Sequence, residues 1–416
     1  MDKFEDFINT DDTRSDELFS KVKRVNEVLN GPKLTGNEGL GVQLLQKTAP
    51  VVKMKEKSGE EYETIMLGSN SYLNLTTHPK VIEGAKKAME KYGFGMGAVS
   101  LYSGITDLHR ELETLIADFY GTEDAILFPS GYGTNIGVIS ALCGAGDVII
   151  NDSSNHASIF DGSKLSGAEL KIYIHSNMKS LEKVLKSISD NKKGRLIITD
   201  GVFSMYGDVA KLDEIIDLAY KYGARVMVDD AHGLGIVGKT GRGTGELFGL
   251  TDKIDLNVGM LSKVAGAVGG YCAASREVVQ YLRLYARTYF FSTALPAPIV
   301  GGLIETFKLL KEDKAGRAEL WENINYLRNV LKNAGFNIGN PQAGIIPIIV
   351  GDEEVLFKFY EDLRRSGVYT NIVTYPATRR KECRLRLCAM KDLTKEQMDK
   401  TVKIITEKGR QYGIIK

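Results

Sequence analysis

Six short stretches of this chain carry side chains able to do chemistry, and five of them fall where an apolar run ends. The first reads Val258-Gly-Met260-Leu-Ser262-Lys263-Val-Ala-Gly266-Ala-Val-Gly269-Gly270-Tyr271. Lys263 stands among small and apolar residues there. Burial disfavours the charged form of a lysine, and a neutral amine is a nucleophile that forms a Schiff base with an aldehyde. The alternative is a lysine that caps a loop at a sheet edge. The second stretch is Val226-Met-Val-Asp229-Asp230-Ala-His232. A carboxylate at the end of an apolar strand is costly unless its charge is paired. Asp229 can keep a ring nitrogen protonated, and His232 can reach a ring substituent.

The third stretch, Phe128-Pro-Ser130-Gly131-Tyr132-Gly133-Thr134-Asn135, reads as strand, turn and helix start. Helix N-termini offer N–H groups and positive potential to a phosphate. The fourth, Asn151-Asp-Ser-Ser-Asn155-His156-Ala-Ser158, places His156 just past a strand end. That position suits either stacking on a planar ring or a structural hydrogen bond. The fifth, Asp200-Gly-Val-Phe203-Ser204-Met205, is a turn with a hydroxyl. The sixth is Arg384-Leu-Arg386-Leu-Cys388, whose alternation puts both arginines on one strand face. There they either fork onto a carboxylate or lie solvated. Gly233-Leu-Gly235-Ile-Val-Gly238 has the spacing of a dinucleotide-binding loop. It follows Asp-Asp-Ala-His rather than a strand, and Lys239-Thr-Gly-Arg-Gly replaces the required helix, so that reading is rejected.

The elements that must position these residues follow from periodicity. Strands are predicted at 124–128, 147–151, 169–174, 195–200, 225–229, 254–258 and 270–273. Helices are predicted between them, among them 134–142, 178–188 and 212–222. Apolar strands alternating with helices make a mostly parallel α/β sheet. The run at 270–273 follows the Lys263 loop so closely that antiparallel pairing is expected for it. Before this region, 14–31 has helical spacing and ends at Gly31-Pro32, and 50–67 alternates like a hairpin with Lys57-Ser-Gly59 at its turn. After it, helices at 299–314, 318–334, 353–366 and 394–412 mix with strands at 345–350, 368–371 and 384–388. The expected organisation is an N-terminal arm (1–66), a large α/β domain (67–297) and a smaller α+β C-terminal domain (298–416).

Composition fits a soluble globular protein, with 416 residues, 43% hydrophobic and 26% charged. A net charge of +1 gives no electrostatic case for nucleic acid or a membrane surface. The N-terminus lacks the basic and apolar regions of a signal peptide, and no apolar run is long enough to span a membrane. The four cysteines form no Cys-x-x-Cys pair, which argues against zinc and suits a reducing cytoplasm.

In this order the motifs resemble the fold-type I pyridoxal-5′-phosphate enzymes, and among them the α-oxoamine synthase family. The resemblance covers about residues 40 to 410. It rests on Gly68-Ser-Asn70-Ser-Tyr72-Leu, Gly93-Phe-Gly-Met-Gly97, Asp107-Leu-His109-x-x-Leu-Glu113, Asn155-His156-Ala-Ser, Gly201-Val-Phe-Ser-Met205, Asp229-Asp-Ala-His232-Gly and Ser262-Lys263 with Gly269-Gly270-Tyr271. The family implies a seven-stranded, mostly parallel sheet domain with a smaller α+β domain. It implies a pyridoxal-phosphate-dependent acyltransferase that condenses glycine, alanine or serine with an acyl-CoA or acyl-carrier-protein thioester, usually with decarboxylation, to an α-amino ketone. An aminotransferase on the same scaffold is the alternative. By position, the resemblance makes Lys263 the Schiff-base lysine and proton carrier, Asp229 the partner of the pyridine nitrogen and His156 the stacking group. Ser204 and His232 approach the phenolic oxygen. Gly131, Tyr132 and Ser262 hold phosphate, and Ser292 and Thr293 reach the partner's phosphate in a homodimer with a composite site. Asn70 and Arg386 contact the amino acid. Three departures stand out: Met260 replaces a threonine or serine, Ser100-Leu101 stands where several members have an arginine, and no histidine follows Arg386.

Overall fold

The computed structural model describes residues 18–29, 41–188 and 194–416. Most of the predicted 14–31 helix is described, as Ser20–Leu29, and its Gly31-Pro32 stop lies outside the described residues. Strands β1 (Gln43–Leu44), β2 (Val51–Lys55) and β3 (Glu61–Met66) follow. β2 and β3 pair antiparallel, with Val51 opposite Ile65 and Lys55 opposite Glu61, as the alternation predicts. The chain divides into two compact units. One holds the described residues up to Ser69 together with Leu320–Lys416, and the other is Asn70–Glu319.

The larger unit contains β4 (Asp124–Phe128), β5 (Val148–Asp152), β6 (Glu169–Tyr173), β7 (Arg195–Asp200), β8 (Arg225–Asp229), β9 (Leu256–Met260) and β10 (Gly270–Ala274). They form one sheet in the order β4-β10-β9-β8-β7-β5-β6. β10 runs antiparallel to both neighbours, as expected from its short connection. The pairs from β9 to β6 are all parallel. Because β10 reverses between β4 and β9, those two run the same way. Six carboxyl ends therefore share one sheet edge, and β10 starts at it.

These segments are strands because both of their faces are covered. Alternate residues fall into two apolar clusters: Ile198, Met227 and Val258 in one, Ile197, Val226 and Val228 in the other. Each fully buried side chain of this size stabilises the fold by about 1.5–3 kcal/mol. The helix Gly131–Leu142 packs on the first cluster through Val138 and Ile139, and Met178–Ser187 and Leu212–Tyr222 pack on the second through Leu181, Leu185 and Ile215. The 131–142 helix begins three residues earlier than its apolar period suggests, because Ser130 caps it by accepting the Gly133 N–H.

The smaller unit contains β11 (Ile345–Ile349), β12 (Val368–Tyr369), β13 (Asn371–Val373) and β14 (Arg384–Cys388). The single strand predicted at 368–371 is divided. β12 joins β3 in parallel, whereas β13 pairs with β14 in a three-stranded sheet, β11-β14-β13. The chain changes sheets at the buried Thr370, and the Asn371 amide, just beyond it, donates to the Gly68 carbonyl at 2.8 Å. Among the described residues no helix is long and apolar enough to cross a membrane.

Within the larger unit, helices Pro79–Tyr92 and Ala297–Glu312 meet glycine on glycine. A Cβ added at Gly301 would lie 2.5 Å from the Gly84 carbonyl oxygen, a backbone atom that cannot step aside. Gly301→Val is therefore expected to destabilise the protein by about 1–3 kcal/mol through overpacking. Thermal unfolding would show a melting point lowered by several degrees, and an unchanged melting point would contradict the close packing.

Candidate active site

Strand register decides which loops meet. Gly270 stands opposite both Phe128 and Met260, so the Lys263 loop leaves β9 and returns beside the turn that ends β4. Asp229 stands opposite Asp200 on one side and Val258 on the other. The Ser130–Tyr132 turn, the His156 turn, Asp200, Ser204, Asp229, His232 and the Ser262–Lys263 loop thus gather at the carboxyl edge of one sheet. Ligands bind at that edge in open α/β sheets.

Asp229 lies at the centre of a hydrogen-bonded chain. Its side chain is buried, with Oδ2 accepting from Asn135 Nδ2 at 2.7 Å and Oδ1 from the Ala231 N–H at 3.1 Å. Asn135 Nδ2 also donates to Ser158 Oγ at 2.9 Å, and Ser158 Oγ lies 2.7 Å from His156 Nδ1. With its oxygen accepting from Asn135, the Ser158 hydroxyl is free to donate to His156. Nδ1 also accepts the Ser158 N–H, as the cap of helix Ala157–Ser166, so any ring N–H sits on Nε2. Burial raises the pKa of Asp229, while Asn135, His156, Ala231 and Lys263 pull it back down. Burial and the neighbouring Asp229 hold Asp200 well above the ordinary carboxylate range. Burial pushes Asp230 up to about 7, against the two hydrogen bonds that it accepts from Thr244.

His232 is buried, with Nδ1 3.0 Å from the hydroxyl of the fully buried Tyr72. His156 is exposed, so its ring face is open to a ligand, and the edge of Tyr132 approaches it at 6.2 Å between centroids. Lys263 is half-buried and Ser262 exposed. Ser204 is half-buried in a turn closed by the Val202–Val209 bridge. Asn70 is half-buried at the first residue of the larger unit. Ser292 and Thr293 follow the short helix Arg287–Phe290, and Thr293 bridges to Val99. Arg386 belongs to the smaller unit, on β14 opposite Pro347 and Asn371. At 6% exposure, with Arg384 at 1% and bonded to Glu382, neither arginine is solvated.

These residues suit pyridoxal phosphate on the structure's own terms. Asp229 is a buried acid with amide donors, and a protonated ring nitrogen would supply the charge partner that burial calls for. Gly131 and Tyr132 are the first two residues of a twelve-residue helix, where backbone N–H groups have no intrahelical acceptor. Asn135 Oδ1 is buried without a hydrogen-bond partner. Met260 does not bring a hydroxyl to this edge. Its buried thioether fills the space beside Gly131, where an added Cβ would lie 2.1 Å from Sδ. The Gly233–Gly238 segment forms tight turns, with the Gly235 N–H on the Gly241 carbonyl at 2.7 Å, and the next helix begins only at Thr244. This agrees with rejecting it as a dinucleotide loop.

Three residues that orient others, Asn135, Ser158 and Tyr72, carry no role in the motif reading. Asn135 and Ser158 are fully buried polar residues in the first two turns of their helices.

The aminotransferase class I and II family matches residues 62–405. Among similar proteins, the 8-amino-7-oxononanoate synthase of Thermoanaerobacter pseudethanolicus is 44% identical, over 85% of this chain and 89% of that protein. The 4-hydroxy-2,2′-bipyrrole-5-methanol synthase PigH of Serratia sp. is 41% identical, over 87% of this chain and 55% of that longer protein. Sphingomonas wittichii serine palmitoyltransferase superposes with a TM-score of 0.90 at 32% identity, covering 96% of this chain and 100% of that one. A structure of SPT with its pyridoxal phosphate superposes equally well, at 0.90 and 32% with the same coverage. The chain therefore belongs to the aminotransferase class I and II family, and within it is a pyridoxal-phosphate-dependent C-acyltransferase of the α-oxoamine synthase family.

Proposed function

We propose that this enzyme joins a small amino acid, of the glycine, alanine or serine class, to the acyl group of a thioester, releasing the thiol and forming an α-amino ketone. The names of the relatives above support this reaction class. The observation that carries it is the buried Asp229, held by Asn135 beside the Lys263 loop. Bound pyridoxal phosphate supplies the electron sink for the carbon next to the amine. Gly131, Tyr132 and Ser262 would hold its phosphate, and His156 would cover its ring. Asp229 would pair with the ring nitrogen, and His232 and Ser204 would serve the phenolic oxygen. Lys263 would carry the cofactor and move the proton of the substrate α-carbon. Asn70 and Arg386 bind the amino acid, Arg386 through its carboxylate.

The enzyme works as a cytoplasmic homodimer in which Ser292 and Thr293 serve the partner's site. In support, Phe94, Tyr102 and Phe291 are exposed at 86%, 81% and 66%. The Val99–Thr293 bridge joins the segments that bear the last two. Exposed aromatics clustered in this way mark association surfaces.

Incubation with candidate amino acids and acyl thioesters should release free thiol, and Lys263→Ala should lower the rate by about 10³-fold or more. Amino transfer to a keto acid without thiol release would instead favour an aminotransferase. Asn135→Leu removes a hydrogen bond to a charged group, worth about 1.5–3 kcal/mol. It should therefore cut kcat by about ten- to a hundredfold, and wild-type turnover in this variant would remove Asn135 from the argument. Phe291→Arg should convert the dimer to monomer in analytical ultracentrifugation and lower activity with it, whereas a persistent, active dimer would place the interface elsewhere.

A further inference from the structure

His175 has no part in the chemistry above, yet both of its ring nitrogens face carboxylates. Nδ1 lies 2.9 Å from Asp152 Oδ1, and Nε2 lies 3.1 Å from Asp208 Oδ2. Ionised carboxylates only accept hydrogen bonds, so both contacts are satisfied together only when the ring carries both protons. The three residues come from the end of one strand and the loops after two others at the carboxyl edge. Asp152 ends β5, and its carboxylate also accepts the Ser154 and Ser176 N–H groups at 2.8 and 2.9 Å. The His175 N–H donates to Ser153 Oγ at 3.0 Å. On the other side, Asp208 lies in the turn that bears Ser204. Tyr206 of that turn stacks on the His175 ring at 5.1 Å, and Phe203 meets it edge-on at 4.4 Å. The Asp152 turn leads directly to His156, whose N–H faces Asp200 at 3.5 Å.

We propose that His175 is a positioning residue, an imidazolium that locks the turn bearing Ser204 to the turn bearing His156 and so fixes two groups beside the cofactor ring. This rests on the roles given above to Ser204 and His156. The groups that face it are Asp152 from β5, Asp208 with the rings of Phe203 and Tyr206 from the Ser204 turn, and Asp200 from β7 at longer range. Burial opposes its charge, but the bonds to Asp152 and Asp208 outweigh burial and raise its pKa from 6.5 to about 9. A folded-state pKa above the unfolded one means stability that is complete below 6.5 and lost as pH rises through 9.

The test compares the wild-type full chain with His175→Gln and Asp208→Asn. In histidine-selective NMR of the cofactor-free protein, one imidazole should titrate far above the ordinary range. Its signal should vanish in H175Q and move to lower pH in D208N. H175Q should also lack the wild-type loss of stability between pH 6.5 and 9. With pyridoxal phosphate added, H175Q should bind the cofactor about ten- to a hundredfold more weakly, the size expected when an orienting group is lost. The pH midpoint of the bound cofactor's visible absorbance should move as well. Ordinary midpoints for all histidines would overturn the proposal. So would variants that melt lower yet keep the wild-type cofactor affinity and spectrum, because His175 would then be structural only. None of these readouts needs an acyl donor. A failure of thiol release with every substrate would therefore sink the acyl-transfer reading without deciding this one.

Discussion

The site depends on a buried carboxylate. Taking Asp229 out of water at the end of β8 costs several kcal/mol unless other groups restore what water gave it. The protein returns part of that through the amide of Asn135 and the N–H of Ala231, and the Lys263 amine lowers the Asp229 pKa further. The deficit that remains is what a cationic ring nitrogen is suited to fill. A residue that the fold alone would penalise thus stands where a cationic partner would stabilise it.

Asp229 can hold this position because one reversed strand closes a parallel sheet. β10 brings the Lys263 loop back beside the end of β4, so the lysine and the N-terminus of the 131–142 helix share an edge with the strand-end acids. Side chains then tie the loops together. Asn135 links the helix after β4 to β8 and to the His156 turn. Asn155 ties that turn to β7, its amide donating to the Ile198 carbonyl and its Oδ1 accepting the Asp200 N–H. Loops that would move independently on their own are bonded side chain to strand, as preorganised catalysis requires.

Met260 packs this edge closed. The thioether offers no hydroxyl, but it occupies the space that Gly131 leaves by lacking a side chain. Helix N-terminus and sheet are thereby held in contact, and the first N–H groups of that helix have no intrahelical acceptor.

Strand boundaries at β4, β7 and β8 were legible to the residue because an acidic or basic residue opens each apolar run, and those of β14 because its arginines and apolar residues alternate. The placement of Lys263, Asp229, His156 and His232 at or beyond strand ends on one sheet edge was legible too, since each stands at or after such a run. The sequence could not say that Thr370 is where one β run changes sheets, since alternation continues across it and only the available partner strands decide. Nor could it reveal that Asn135, Ser158 and Tyr72 hold Asp229, His156 and His232, or that His175 is gripped by Asp152 and Asp208. Apart from Ser158 and His156, which are neighbours in the chain, those contacts join residues 23 to 160 positions apart. Spacing within one element carries no trace of them. The types and order of the chemical groups belong to the sequence, while their protonation and orientation were decided only when strand register put each beside its partner in a dry interior.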